Sequence, residues 1–199
     1  MVSSRCVVGL STGTRPVSAI VTSTRAAKAN ACTDESSSGH LRREAQARGI
    51  PPERLVFAEQ RPYPEHISRI VHADLLLDTL PFNGGTTTSD FLWAGVPVVT
   101  CAGRSFASRM SGSLLRAIGL PELITETLED YAALALTLAH DAQRLGELRS
   151  RLSRNRHDAP LFDTHRYCRN LEAAYREIWQ RHERGEKPAT IYIGRSALR

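Results

Sequence analysis

The chain has 199 residues, of which 41% are hydrophobic and 24% charged. These proportions exclude bulk disorder, and a chain of this length can bury roughly two-thirds of its surface without the support of disulfides or metals. The net charge is +5, and residues 142–199 carry the whole surplus, with 13 basic and 7 acidic side chains against 13 and 14 in residues 1–141.

Residues 1–40 differ in composition from the rest of the chain. Thirteen of them are Ser or Thr, and no acidic residue occurs before Asp34. Their apolar residues keep no sustained period, although residues 6–10 could form one short strand. We therefore predict that residues 1–40 are a poorly ordered segment outside the core fold.

From residue 41 onward, short apolar runs alternate with helical patterns. Helices are predicted at 41–48, 65–72, 87–94 and 105–118, and strands at 55–57, 75–77, 96–100 and 122–124. Short apolar strands that alternate with helices are typical of a parallel sheet flanked by helices, which places the chain in the α/β class. We expect Trp93, Val96, Val98 and Val99 to be buried in its core.

Three longer helices follow the last predicted strand. Apolar residues recur every three or four positions at 128–140, 142–156 and 165–184. We assign residues 41–188 to one α/β lobe with C-terminal helices, and residues 189–199 to a tail. Around Tyr175 and Trp179 we predict an exposed apolar patch, with self-association as its consequence.

Composition also bears on location and partners. The four cysteines lie far apart without CxxC spacing, which fits a reducing compartment and a cytoplasmic location. No apolar stretch is long enough to span a membrane. Basic and acidic residues interleave in the C-terminal helices, so we interpret the positive surplus as a solvated helix face and predict no nucleic-acid partner.

A glycine-rich turn after the predicted strand at 75–77 is the candidate binding site. Asn83, Gly84 and Gly85 run into three threonines that open a helix, at the edge of the sheet where α/β proteins collect ligands. Glycines allow close approach, and the first amides of a helix favour an anion such as phosphate. The residue pattern is equally compatible with a plain turn that has a threonine cap. His66 would face the same crevice or have a purely structural role.

The motifs around this turn resemble a known family. Residues 72–109 contain L-D-T, then N-G-x-T-T-x-x-D, then W-A-G-x-P. With residues 153–164 and the helix that ends near Trp179, this pattern is similar to the C-terminal lobe of the protein O-GlcNAc transferases, including their bacterial and SPINDLY-type relatives. The likeness covers roughly residues 41–188. It implies a Rossmann-like C-terminal lobe of the GT-B architecture.

The resemblance also implies which residues hold a UDP-sugar. They are Tyr63, His66, Arg69, Gly85, Thr86, Thr87 and Asp90. In the family's pattern, both threonines and the amide of Gly85 would hold the diphosphate, and Asp90 would contact the ribose. This chain departs from the pattern at Tyr63, where the family often has lysine.

The function implied by the resemblance is glycosyl transfer from UDP-GlcNAc, or a related UDP-sugar, to Ser or Thr hydroxyls of a protein acceptor. No cofactor or metal is implied, because no Asp-x-Asp motif occurs. In the family an N-terminal lobe and tetratricopeptide repeats precede this lobe. We therefore expect a fragment that is inactive by itself and whose partner is that missing lobe or the tetratricopeptide-repeat region. The alternative is a truncated, non-catalytic nucleotide-binding or interaction module.

Overall fold

A computed structural model of the chain describes residues 7–10, 19–22, 35–51, 54–58 and 61–193, with side chains from residue 39 onward. Its strands are β1 (Val7–Leu10), β2 (Ala19–Thr22), β3 (Val56–Phe57), β4 (Leu75–Leu77), β5 (Val98–Cys101) and β6 (Ile124–Thr125). Its helices are α1 (Glu35–Ala47), α2 (Tyr63–Ile70), α3 (Thr86–Trp93), α4 (Met110–Ala117), α5 (Leu128–His140), α6 (Ala142–Asp158) and α7 (Thr164–Glu183). Turns of 3-10 helix lie at Ala107–Arg109, Pro121–Leu123 and Pro160–Phe162.

The strands of the described residues form one sheet in the order β3-β1-β2-β4-β5-β6. From β2 to β6 neighbouring strands run parallel, with Leu76 opposite Val98 and Thr100 opposite Ile124. This confirms the predicted parallel sheet flanked by helices. Strand β1 departs from it, because it pairs antiparallel with both β2 and β3.

Residues 1–40, predicted to stand outside the fold, contribute strands β1 and β2 and the first turns of α1. In β2 only three apolar residues lie between a serine and a threonine, and they carry no periodic signal, so only the pairing with β1 and β4 reveals this strand. The rest of this segment lies outside the described residues. The division of the chain at residues 40 and 188 therefore stays a prediction.

One predicted strand is partly wrong. Residues Pro121–Leu123 form a turn of 3-10 helix, and β6 begins only at Ile124. Proline presets its φ angle for the first position of such a turn and has no N–H to pair in a sheet, so the local geometry is helical rather than extended.

The core lies between the sheet and helices α3 to α6. Val96, Val98 and Val99 are fully buried, as predicted, and they pack with Phe91 and Leu92 of α3. Leucines of α6 close the other side of this cluster at positions 145, 148 and 152, which is the spacing of one helix face. The consequence for the site is that β4, α3 and β5 are packed together through one buried core.

Trp93 was predicted to be buried, and this is wrong, because 47% of its surface is exposed. Phe91 and Leu92 take the inward positions of α3, and the next residue is rotated by about 100° out of the core. The indole instead packs edge-on against Phe162, with ring centroids 5.1 Å apart. The guanidinium of Arg156 covers the ring at 5.4 Å and donates a hydrogen bond to the Trp93 carbonyl oxygen.

Trp93→Ala is accordingly expected to lower the free energy of unfolding by about 1–2.5 kcal/mol, the sum of one aromatic pair and one exposed cation–π contact. Phe91→Ala, at a fully buried neighbour on the same helix, should cost about 3–5 kcal/mol because it leaves a cavity. Urea denaturation of both variants measures the difference. Equal losses would contradict the peripheral position of the indole.

Helix α7 carries an exposed apolar face, which confirms the predicted patch. Tyr175, Ile178 and Trp179 are each more than half exposed. They line a groove of about 690 Å³ together with Pro188 and with Ile191 of the tail. Self-association through this face stays a prediction. None of the helices in the described ranges is long and apolar enough to cross a membrane.

Candidate functional site

The candidate site lies where β4 ends and α3 begins. Residues 79–85 lead from the strand to the N-cap Gly85, and no side chain among the described residues caps α3. Helices α5, α6 and α7 differ, since Thr127, Asp141 and Asp163 each accept a hydrogen bond from a first-turn amide. Within the described part of the chain, the first amides of α3 therefore have no capping side chain, and they add to the positive end of the helix dipole.

Asp78 lies directly beneath this turn and is only 3% exposed. Its Oδ1 accepts hydrogen bonds from the backbone amides of Thr79 (2.9 Å) and Gly84 (2.8 Å), and its Oδ2 accepts one from the hydroxyl of Thr100 on β5 (2.6 Å). The Tyr131 hydroxyl donates to its carbonyl oxygen at 2.9 Å. One carboxylate thus ties the turn to β4 and β5, and α5 adds a contact to its backbone.

Burial dominates the electrostatics of this group. Desolvation raises the pKa of Asp78, although the hydrogen bonds from Thr100, Gly84 and Thr79 act in the opposite direction. Burial also raises the pKa of Tyr131, and the neighbouring Asp78 charge adds to the effect. Tyr131 consequently stays protonated and acts as a hydrogen-bond donor.

Gly84 is required by close packing. A Cβ atom at this position would lie 2.7 Å from the Thr88 Oγ1 and 3.3 Å from the Asp78 Oδ1. At Gly85 the same atom would have only an ordinary contact, 3.5 Å from the Met110 Cγ. The first glycine therefore lets the turn fold onto α3, whereas the second leaves space above the helix end.

The structure places the predicted residues of this turn at the N-terminal end of α3. Gly85 is half-buried, Thr86 is exposed, and Thr87 is largely buried. Asp90 lies four residues after Thr86 on the same helix, one turn further on, and is 5% exposed. The structure thus brings four of the predicted residues together, three on one short helix and Gly85 as its N-cap.

The other predicted residues lie on α2. The Tyr63 hydroxyl donates a 3.0 Å hydrogen bond to the Asp90 Oδ1, which joins α2 to α3. His66 is buried, and its Nδ1 lies 3.1 Å from the Arg69 Nη2. Because a guanidinium can only donate, Nδ1 is the acceptor, and a neutral His66 carries its proton on Nε2. Tyr63 therefore connects the α2 residues to Asp90 on α3.

A second loop borders the turn. Between β5 and α4, the Ser105 and Ser108 side chains bond to each other and to each other's backbone. The Asn83 amide donates to the Ala107 carbonyl oxygen at 3.1 Å, which fixes the two loops to one another. This network explains why the predicted helix at 105–118 begins as a 3-10 turn and becomes α-helical only at Met110.

Sequence reasoning missed Asp78, Thr100 and Ser111 as contributors to the site. An aspartate that ends a buried strand was a usable signal for the first of them, because a buried carboxylate requires partners. The other two carry no local signal. Among the described residues, no cluster of three or more His, Cys, Asp or Glu side chains could hold a metal ion. The expectation of a metal-free site stays a prediction.

Comparisons with known proteins identify the family. The sequence model of glycosyl transferase family 41 matches residues 34–171. The chain is 39% identical over 146 residues to the UDP-N-acetylglucosamine–peptide N-acetylglucosaminyltransferase of Caenorhabditis elegans, and 41% identical over 149 residues to a probable enzyme of the same name, SEC, from Arabidopsis thaliana. These alignments cover 73% and 74% of the chain but only 13% and 15% of the two relatives.

A solved structure is similar over the same extent. A variant of the Thermobaculum terrenum O-GlcNAc transferase superposes with a TM-score of 0.69 and 38% sequence identity. The superposition covers 74% of this chain and 28% of the other. The family model, the relatives and the structure agree with the predicted Rossmann-like lobe of the GT-B fold. The chain therefore belongs to glycosyl transferase family 41, the family of the protein O-GlcNAc transferases.

Proposed function

We propose that this chain is the donor-binding lobe of a UDP-sugar-dependent protein O-glycosyltransferase that transfers GlcNAc to Ser or Thr hydroxyls. The observation that carries the proposal is the N-terminal end of α3, which no described side chain caps and which lies at the carboxyl edge of β4. It occurs in a chain whose relatives are named for transfer from UDP-N-acetylglucosamine to peptides. A cytoplasmic location belongs to the same proposal.

The chemistry of such a lobe is electrostatic. As the bond from the sugar to UDP breaks, negative charge grows on the diphosphate, and preorganised donors stabilise that charge. In this chain the available donors are the first amides of α3 and the hydroxyls of Thr86 and Thr87. Helix-terminal amides can take this charge without a metal ion.

Asp90 has a different role in this proposal. A carboxylate would repel the phosphates, so its partner is a ribose hydroxyl, which donates to it. The Tyr63 hydroxyl already occupies one oxygen of Asp90 and holds the side chain in place. His66 and Arg69 lie on the same helix as Tyr63 and complete the nucleotide side of the site.

A ligand series tests the proposal. Phosphate-binding donors predict that UDP binds more tightly than UMP, and UMP more tightly than uridine, because each charge-assisted hydrogen bond contributes about 1.5–3 kcal/mol. NMR titration of the full chain gives the ranking. Equal affinities for UDP and uridine would rule out a phosphate site at α3.

Transfer is tested separately by incubating the chain with UDP-GlcNAc and a Ser/Thr peptide, and detecting glycopeptide by mass spectrometry. Product formed by the chain alone would establish the enzyme. UDP binding without product supports a donor-binding lobe that requires further parts of a transferase, and equally a nucleotide-binding module. Adding a separately expressed N-terminal lobe of a relative distinguishes these two, since only the donor-binding lobe would then give product.

A further inference from the structure

A buried chain of hydroxyl groups lies beneath the peptide bond between Gly84 and Gly85. The Ser111 hydroxyl, on α4, donates a 2.7 Å hydrogen bond to the Gly84 carbonyl oxygen. The Thr88 Oγ1 lies 2.7 Å from the Ser111 Oγ, and both side chains are fully buried. Because the Ser111 proton is committed to Gly84, Thr88 is the donor in that contact.

These contacts fix the direction of a peptide plane. In a trans peptide the C=O and the following N–H point in opposite directions. Since Ser111 holds the Gly84 carbonyl toward the protein interior, the N–H of Gly85 points away from the interior, at the end of α3. On the other side of Gly84, its own amide is held by Asp78.

This arrangement constrains the two residues of the turn that have the least steric restriction on backbone rotation. Two consecutive glycines have no Cβ to limit rotation, so the peptide between them could turn over at little steric cost. Gly85 is under little steric restraint here, because a Cβ on it would have only one ordinary contact. Two hydrogen bonds restrain this peptide instead: the one from the Ser111 hydroxyl to the Gly84 carbonyl oxygen, and the one from the Gly84 amide to Asp78.

We propose that Ser111, supported by Thr88 and Asp78, is a positioning residue that holds the Gly85 N–H outward as a preformed anion donor. That the anion is the diphosphate of a UDP-sugar rests on the proposed function. An amide that already points at the developing charge needs no reorganisation when the ligand binds, which is why such donors are effective. Ser111 acts through the backbone and need not touch the ligand.

The first experiment measures the direction of the amide without any ligand. Residual dipolar couplings of backbone N–H groups are recorded for the full-length wild type, Ser111→Ala and Thr125→Val. Thr125 is the matched control, since it is a buried hydroxyl that also donates to a backbone carbonyl, that of Thr100. We expect the Gly85 coupling to change in Ser111→Ala alone, while couplings in α5 stay constant. An unchanged Gly85 coupling in Ser111→Ala overturns the inference.

The second experiment measures the consequence for binding. Ser111→Ala should weaken UDP about three- to tenfold, as expected for one misdirected hydrogen bond, and should leave uridine within twofold. A variant whose Gly85 coupling has moved but whose UDP affinity is that of the wild type would also overturn it. If the wild type itself does not prefer UDP to uridine, the proposed function fails, and the couplings alone decide whether Ser111 positions the amide.

Discussion

Asp78→Ala is expected to lower the free energy of unfolding by about 3–5 kcal/mol, because two backbone amides and one hydroxyl would lose their buried acceptor at about 1–3 kcal/mol each, partly offset by entering water. Urea denaturation of the wild type and the variant measures the loss. A cost below about 1 kcal/mol would show that the turn does not depend on the carboxylate, since even one stranded buried donor exceeds it.

Asp78→Asn separates the charge from the hydrogen bonds. The amide oxygen of Asn can still accept from Thr79 and Gly84, and its NH₂ group can donate to the Thr100 hydroxyl, so most of the stability should remain. The pH dependence of the free energy of unfolding should change. The reason is that the pKa of Asp78 is raised in the folded chain, so that the folded state binds this proton more tightly than the unfolded state.

The contribution of Asp78 to the stability of the wild type falls as the pH rises. The stabilising effect of protonated Asp78 is fully present below the ordinary pKa of an aspartate, and it is lost as the pH rises through the raised pKa of the folded state. The wild type therefore loses stability across this window relative to Asp78→Asn. Parallel curves of unfolding free energy against pH for the two proteins would contradict the raised pKa.

Thr87→Ala is expected to weaken UDP roughly ten- to a hundredfold and to leave uridine nearly unchanged, since one charge-assisted hydrogen bond to phosphate contributes about 1.5–3 kcal/mol. Isothermal titration of both ligands measures the split. Thr137→Ala is the control, because Thr137 is an exposed helical threonine on α5 whose hydroxyl bonds its own helix. Equal losses for UDP and uridine would place Thr87 outside the phosphate contacts.

Asp90→Asn is expected to weaken ligands that contain a ribose and to spare pyrophosphate. Loss of the carboxylate weakens the contact to a ribose hydroxyl, so uridine and UDP should both bind less well. Inorganic pyrophosphate, which has no ribose, should bind as before or slightly better, because a negative charge near the anion is removed. Weaker pyrophosphate binding would mean that Asp90 supports the turn rather than the sugar.

Local patterns predict much of the secondary structure of this chain. The helices at α5, α6 and α7 begin within one residue of their predicted starts, because Thr127, Asp141 and Asp163 cap their first turns and apolar residues keep a helical period behind them. Strands β4 and β5 follow from short apolar runs between turn residues. The signals for these elements lie within the elements themselves.

Sequence by itself therefore determined the α/β class, the turn that opens α3, and, through the N-G-x-T-T-x-x-D pattern, the family. Only the tertiary structure decided that Asp78 and Ser111 hold this turn, that Tyr63 contacts Asp90, and that Trp93 lies at the surface. The Tyr63–Asp90 and Ser111–Gly84 contacts each join residues 27 positions apart. Such pairs have no local period or spacing, because their partners are brought together only when helices α2 and α4 pack beside α3.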